Sequence, residues 1–122
     1  MAKYLITGGC GFVGSHLADA LLARGDGVVV LDNLSTGKLA NLAPEVRVIE
    51  GDVADAGIVA QAMAGCAGVF HLAGIASVAY CNEHWREGHL TNQTGTVTVF
   101  EAAARAGRVP VVYTSSAAVY GD

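Results

Sequence analysis

The segment Ile6-Thr7-Gly8-Gly9-Cys10-Gly11-Phe12-Val13-Gly14-Ser15-His16 places a glycine-rich turn directly after an apolar run and at the head of an apolar-periodic stretch. The chemistry suited to such a turn is the holding of a pyrophosphate. Glycine adopts the dihedrals of a tight turn and lets the backbone come close to a ligand. The first N–H groups of the following helix are unpaired and, with the helix dipole, attract an anion. A carboxylate reinforces this reading. Asp32 ends the next apolar run, where a dinucleotide site needs an acceptor for the adenosine ribose. Its charge repels a 2′-phosphate and so favours NAD over NADP. The loop beyond it holds no arginine, and Lys38 is a weak substitute.

These groups must be positioned by alternating strands and helices. Tyr4–Thr7 reads as a buried strand, and Val13–Arg24 as a helix with Val13, Leu17, Ala20 and Leu21 on one stripe. Gly25-Asp26-Gly27 breaks it, and Val28–Leu31 is a β-branched run suited to a strand covered on both faces. A polar loop from Asn33 to about Pro44 leads to a third strand, Val46–Glu50, and a short helix, Asp55–Ala64. Gly68–Leu72 is a fourth strand. A long helix from about Trp85 to Ala106 follows, with Val97, Phe100 and Ala104 on one face and Gly107 as its stop. Pro110–Thr114 is a fifth strand.

Such alternation calls for an α/β fold, a doubly wound parallel sheet of Rossmann type. The glycine turn after strand one suggests the order 3-2-1-4-5. Ligands of such sheets bind beyond the carboxyl ends of the strands. The groups that fall there are Gly8 to Val13, Asp32-Asn33, Asp52-Val53, Leu72-Ala73-Gly74 and Thr114-Ser115-Ser116. Taken singly, each glycine is equally an ordinary turn, and Asp32 a strand-end or capping carboxylate. Asp52 serves either as a cap for the next helix or as an adenine contact, and Ser116 could simply satisfy local backbone. Their shared position at one sheet edge is what points to a ligand.

The 122 residues are one domain by length, with 52% apolar and 15% charged residues, a composition that argues against disorder. The net charge of −4 removes the electrostatic case for nucleic acid or an anionic membrane. No apolar run approaches the roughly 18 residues of a membrane helix, and the N-terminus leads straight into a strand pattern, so a soluble cytoplasmic protein is expected. Three cysteines give no disulfide framework. Cys81, His84 and His89 lack the paired spacing of a zinc site, so no metal is expected. Cys10 and Cys66 read as small apolar fillers.

The chain resembles the NAD-dependent epimerase/dehydratase branch of the extended short-chain dehydrogenases/reductases, the nucleotide-sugar enzymes. The matching pieces begin with Thr7 to Leu17, Leu31-Asp32-Asn33-Leu34-Ser35-Thr36-Gly37 and Glu50-Gly51-Asp52-Val53. They continue with His71-Leu72-Ala73-Gly74, Asn92-Gln93-Thr94-Gly95-Thr96 and Ser115-Ser116-Ala117-Ala118-Val119-Tyr120-Gly121-Asp122. The resemblance implies an NAD-binding domain over residues 1–122, forming the N-terminal portion of such an enzyme. Within it, Gly8, Gly11, Phe12 and Val13 would meet the pyrophosphate through their backbone. Asp32 would hold the adenosine ribose, with Asn33, Ser35 and Gly37 beside it, and Asp52 and Val53 would meet adenine. Leu72, Ala73 and Gly74 would line the path to the nicotinamide ribose, and Asn92 would be a structural, cofactor-side polar group. Ser116 matches the family's catalytic Ser/Thr, which hydrogen-bonds the sugar hydroxyl being oxidised.

Two local departures are Trp85, where the family usually has proline, and Cys81, where serine is common. A larger one concerns the base. The family's reaction uses a tyrosine with a lysine four residues later, placed beyond Ser116. Here the lysines are Lys3 and Lys38, and four residues after Tyr80 and Tyr113 come His84 and Ala117. The resemblance therefore implies NAD binding, with a nucleotide sugar as the complete enzyme's substrate and no turnover by this chain alone. A different outcome is a non-catalytic dinucleotide-binding module that pairs through the edge of strand five as a homodimer.

Overall fold

Two central strands build the core by alternating faces. A computed structural model describes residues 1–121. In it β1 (Lys3–Thr7) pairs in parallel with β2 (Gly27–Asp32), so that Leu5 faces Val29 and Ile6 faces Val30 in register. Val28, Val30 and Ile6 pack on one side with Ala18 and Leu21 of helix α1 (Phe12–Ala23). Val29, Leu31 and Leu5 pack on the other with Val59, Ala62 and Met63 of α2 (Ala56–Met63). Cover on both faces is what a continuous β-branched run requires. With β3 (Arg47–Glu50), β4 (Gly68–His71) and β5 (Val111–Tyr113), all pairing in parallel, the sheet order is β3-β2-β1-β4-β5, as expected from the glycine turn.

The helices that follow β4 are α3 (Val78–Glu83) and α4 (Trp85–His89), then a π-turn (Leu90–Thr94) and α5 (Gly95–Arg105). Backbone angles stay helical across both junctions of the π-turn, so Trp85–Arg105 is one helical course, close to the expected Trp85–Ala106. Trp85 takes the first helical position, one that suits proline in helices generally, and lies exposed. α3 was not anticipated from the sequence. Ser77 caps it by accepting from the Tyr80 N–H (3.1 Å), and it buries no residue. Asp55 caps α2, accepting from the N–H groups of Gly57 (3.0 Å) and Ile58 (3.2 Å).

Two helix faces differ from expectation. On α1 the buried residues are Gly14, Ser15, Ala18 and Leu21, whereas Val13 and Ala20 face solvent. A Cβ on Gly14 would stand 2.5 Å from the Gly8 carbonyl oxygen, so the helix rests on the turn through its smallest residue and the stripe rotates accordingly. On α5, Gly95, Val99 and Ala103 are buried and Val97, Phe100 and Ala104 are exposed. Val99 and Ala103 let α5 pack against α2, while the Phe100 ring meets Tyr113 of β5 edge-on at 5.5 Å. Among the described residues no helix is long and apolar enough to cross a membrane.

Candidate functional site

The glycine turn leaves β1 and enters α1 without a side-chain cap. Gly11 is the N-cap, and no side chain bonds the first-turn N–H groups, which are left for an anion. Gly8 has φ +72°, and a Cβ there would lie 2.9 Å from the Ala73 backbone. Glycine is thus required both for the left-handed turn and for the approach of the β4 exit. The turn is tied to β2 by the Gly8 N–H, which donates to the Leu31 carbonyl at 2.8 Å.

Asp32 ends β2 and is buried. Its Oδ2 accepts from the Cys10 N–H (2.9 Å) and its Oδ1 from the Leu34 N–H (2.7 Å). Two backbone donors fix the carboxylate and still leave acceptor positions for hydroxyl groups. Beside it, burial and then the Asp32 charge push the Cys10 thiol up to about 11, so Cys10 stays a neutral filler as expected. Asn33 Oδ1 accepts from the Ser35 N–H (3.0 Å), which folds the loop. The Lys38 N–H (3.2 Å) and the Asn41 side-chain amide (2.9 Å) donate to the Cys10 carbonyl and lay that loop against the turn.

These parts enclose a cleft of about 550 Å³ at the carboxyl edge of the sheet. Of the residues expected at a site, Gly8, Gly11, Asp32, Asn33, Ser35, Gly37, Val53, Leu72, Ala73 and Gly74 line it together. Phe12 and Val13 stand exposed on the first turn of α1, outside the lining. Asp52 is also outside it and exposed. Its Oδ1 accepts from the Ala54 N–H (2.9 Å), while the helix cap is Asp55. Asn92, on the π-turn, does not line the cleft but bonds both backbone groups of Ile75, which does. Ser116 is exposed beyond β5 and accepts from the Ala118 N–H at the head of a short 3-10 turn.

Sequence reasoning missed the far end of the cleft, lined by Ile75, Ala76, Ser77, Tyr80, Glu87 and Thr91. The Tyr80 hydroxyl donates to Glu87 (2.7 Å), which holds the phenol protonated and raises its pKa, and the Tyr80 ring stacks on His84 at 4.2 Å. Tyr80 lies on α3 and Glu87 on α4, with the non-helical His84 between them, so no helical spacing in the sequence marks the pair.

Residues 4–122 match the NAD dependent epimerase/dehydratase family. The chain belongs to that family. The chain is similar to a UDP-glucose 4-epimerase of Neisseria meningitidis serogroup B, 36% identical over the whole of this chain and 39% of that protein's length. One from Corynebacterium glutamicum is 37% identical over 98% of this chain and 36% of its own length. Among solved structures, UDP-glucose 4-epimerase from Brucella ovis in complex with NAD superposes with a TM-score of 0.92 at 32% identity, covering 100% of this chain and 38% of that one. UDP-N-acetylglucosamine 4-epimerase from Methanobrevibacter ruminantium M1, in complex with UDP-N-acetylmuramic acid, gives 0.90 at 34%, covering 98% and 39%. The chain thus spans less than two fifths of the length of these relatives.

Proposed function

We propose that this chain is the NAD-holding part of a nucleotide-sugar epimerase or dehydratase, working in the cytoplasm. The observation that carries the reading is the convergence of an uncapped helix start at Gly11 and a fixed carboxylate at Asp32 on one cleft. The residues fit a dinucleotide. Gly8 permits the tight turn against Ala73, Gly11 leaves the helix start uncapped for a pyrophosphate, and Asp32 retains acceptor capacity for ribose hydroxyls. Asn33, Ser35 and Gly37 would flank the same ribose, Val53 the adenine, and Leu72 to Gly74 the nicotinamide end.

When bound, the nicotinamide would supply a hydride acceptor for a sugar carbon and return the hydride later in the reaction. This chain's own residues would bind and orient. Ser116 would donate or accept a hydrogen bond at the sugar hydroxyl, and the cleft walls would exclude water. The general base, by family likeness a tyrosine with a lysine four residues on, has no counterpart in these 122 residues. Calorimetric titration of the purified chain tests the reading, with NAD expected to bind more tightly than NADP. Binding of neither, or a preference for NADP, would overturn it. Interconversion of UDP-glucose and UDP-galactose at an enzymatic rate by this chain would contradict the assignment of the base.

Self-association is a second reading, favoured by Val112 (59% exposed) and Tyr113 (57%) on the edge strand β5. Light scattering at high concentration decides it, and a mass of one chain counts against it.

A further inference from the structure

A hydrogen-bond relay, buried at Thr7 and His71 and exposed at Asn92, joins the two ends of one cleft wall. Thr7, at the end of β1, accepts at Oγ1 from the Ala73 N–H (3.1 Å) and from the Leu72 N–H (3.1 Å), the latter shared with the Thr7 carbonyl. Both lone pairs are then engaged, so the hydroxyl proton goes to its remaining neighbour, Nδ1 of His71, at 2.6 Å. Nδ1 accepts and carries no proton. His71 is 3% exposed, and burial holds its pKa below the ordinary 6.5. A neutral ring with a bare Nδ1 carries its proton on Nε2. That atom lies 3.0 Å from Thr96 Oγ1, whose own proton goes to the Asn92 carbonyl at 2.7 Å.

Asn92 completes the circuit. Its Oδ1 accepts from the Ile75 N–H (2.7 Å) and its Nδ2 donates to the Ile75 carbonyl (3.1 Å). The wall from Leu72 to Ile75 is therefore gripped at its start by Thr7 and at its end by Asn92, and His71 connects the grips. The π-turn belongs to this arrangement, since such local widening of a helix is frequent where a helix serves a site. Thr7 and Tyr113 flank His71 in register from β1 and β5, and Thr96 meets it from α5, a set without a carboxylate or an ammonium group.

We propose that His71, held as the neutral Nε2–H tautomer between Thr7 and Thr96, is the positioning residue that sets the Leu72–Ile75 wall of the cleft. The test is long-range 15N–1H NMR of His71 in the purified chain at neutral pH, with amide exchange of Ala73 and Ile75 in wild type, His71→Phe, His71→Gln and Thr96→Val. The expected spectrum has a protonated Nε2 and a bare Nδ1. His71→Phe and Thr96→Val should each speed exchange at both amides about fivefold, the weight of one hydrogen bond. His71→Gln, which keeps a donor toward Thr96, should speed it less. A proton on Nδ1, or on both nitrogens, overturns the proposal, and so does unchanged exchange in Thr96→Val, which stands even if His71→Phe does not fold. The inference rests on the functional reading in one respect, that the wall faces NAD, and Thr96→Val should weaken NAD binding about fivefold. Equal NAD affinity in that variant overturns the wall's role in binding. A wild-type chain that binds no NAD overturns the functional reading, while the tautomer and exchange rates still decide the positioning role.

Discussion

The centre of the sheet and its β5 edge are both rich in apolar residues, yet only the centre is covered. Leu5, Ile6, Val30 and Leu31 are fully buried, whereas Val112 and Tyr113 of β5 are each more than half exposed. The site residues follow the same division. Asp32 is fixed by two backbone donors within a packed core, while Ser116 is held by a single bond from Ala118 in an exposed turn. The difference teaches that the two proposed tasks have different support. The proposed holding of a dinucleotide draws on strands covered on both faces, while the proposed contact of Ser116 with a substrate hydroxyl lies in an exposed turn after β5, which pairs with β4 alone among the described residues.

Substitutions on the two sides should separate sharply. Leu5→Ala, at the covered centre, should cost about 3 kcal/mol in urea unfolding, as for a large side chain removed from a packed core. A cost below about 1 kcal/mol would mean the centre is no better packed than the edge. Asp32→Ala should weaken NAD binding about a hundredfold, the weight of hydrogen bonds to a charged acceptor. An affinity within about threefold of wild type would remove the carboxylate from the site.

The pH dependence sharpens the comparison from the β4 side. His71 has its folded pKa lowered below the ordinary 6.5 by burial, so between those values the unfolded chain binds more protons. Stability contributed by the neutral ring is therefore present above pH 6.5 and lost as pH falls from 6.5 through the folded pKa. Urea midpoints at pH 7.5 and 5.5 should fall more in wild type than in His71→Gln, and equal falls would mean that His71 is not held neutral. At the edge, Val112→Ala should stay within about 0.5 kcal/mol of wild type, as for exposed positions generally. A larger loss would show that β5 is covered in solution, as by a second copy.

Much of this architecture was legible in the residues because the local signals agreed. The β-branched run ending in Asp32 and the glycine turn before α1 are each contained in a few consecutive positions, and the sheet order followed from them. The α1 stripe was misread because apolar periodicity favours Val13 and Leu17, whereas close packing on the turn selects Gly14 and Ala18. Helix α3 escaped notice because its residues Val78 to Glu83 bury no face and only the Ser77 cap marks it. The relay through His71 could not be seen at all. Its partners Thr7 and Thr96 lie 64 and 25 residues away in sequence, and only the register of β1 against β4 and the placement of α5 bring them together.

The most direct test of the central claim is amide chemical-shift mapping of the purified chain during titration with NAD. The account predicts saturable shifts at the Gly8–Gly14 turn, at Asn33 and Leu34 beside Asp32, and at Leu72 to Ile75, with little change on β5. Absence of shifts at the turn at millimolar NAD, or shifts confined to the β5 edge, would contradict it.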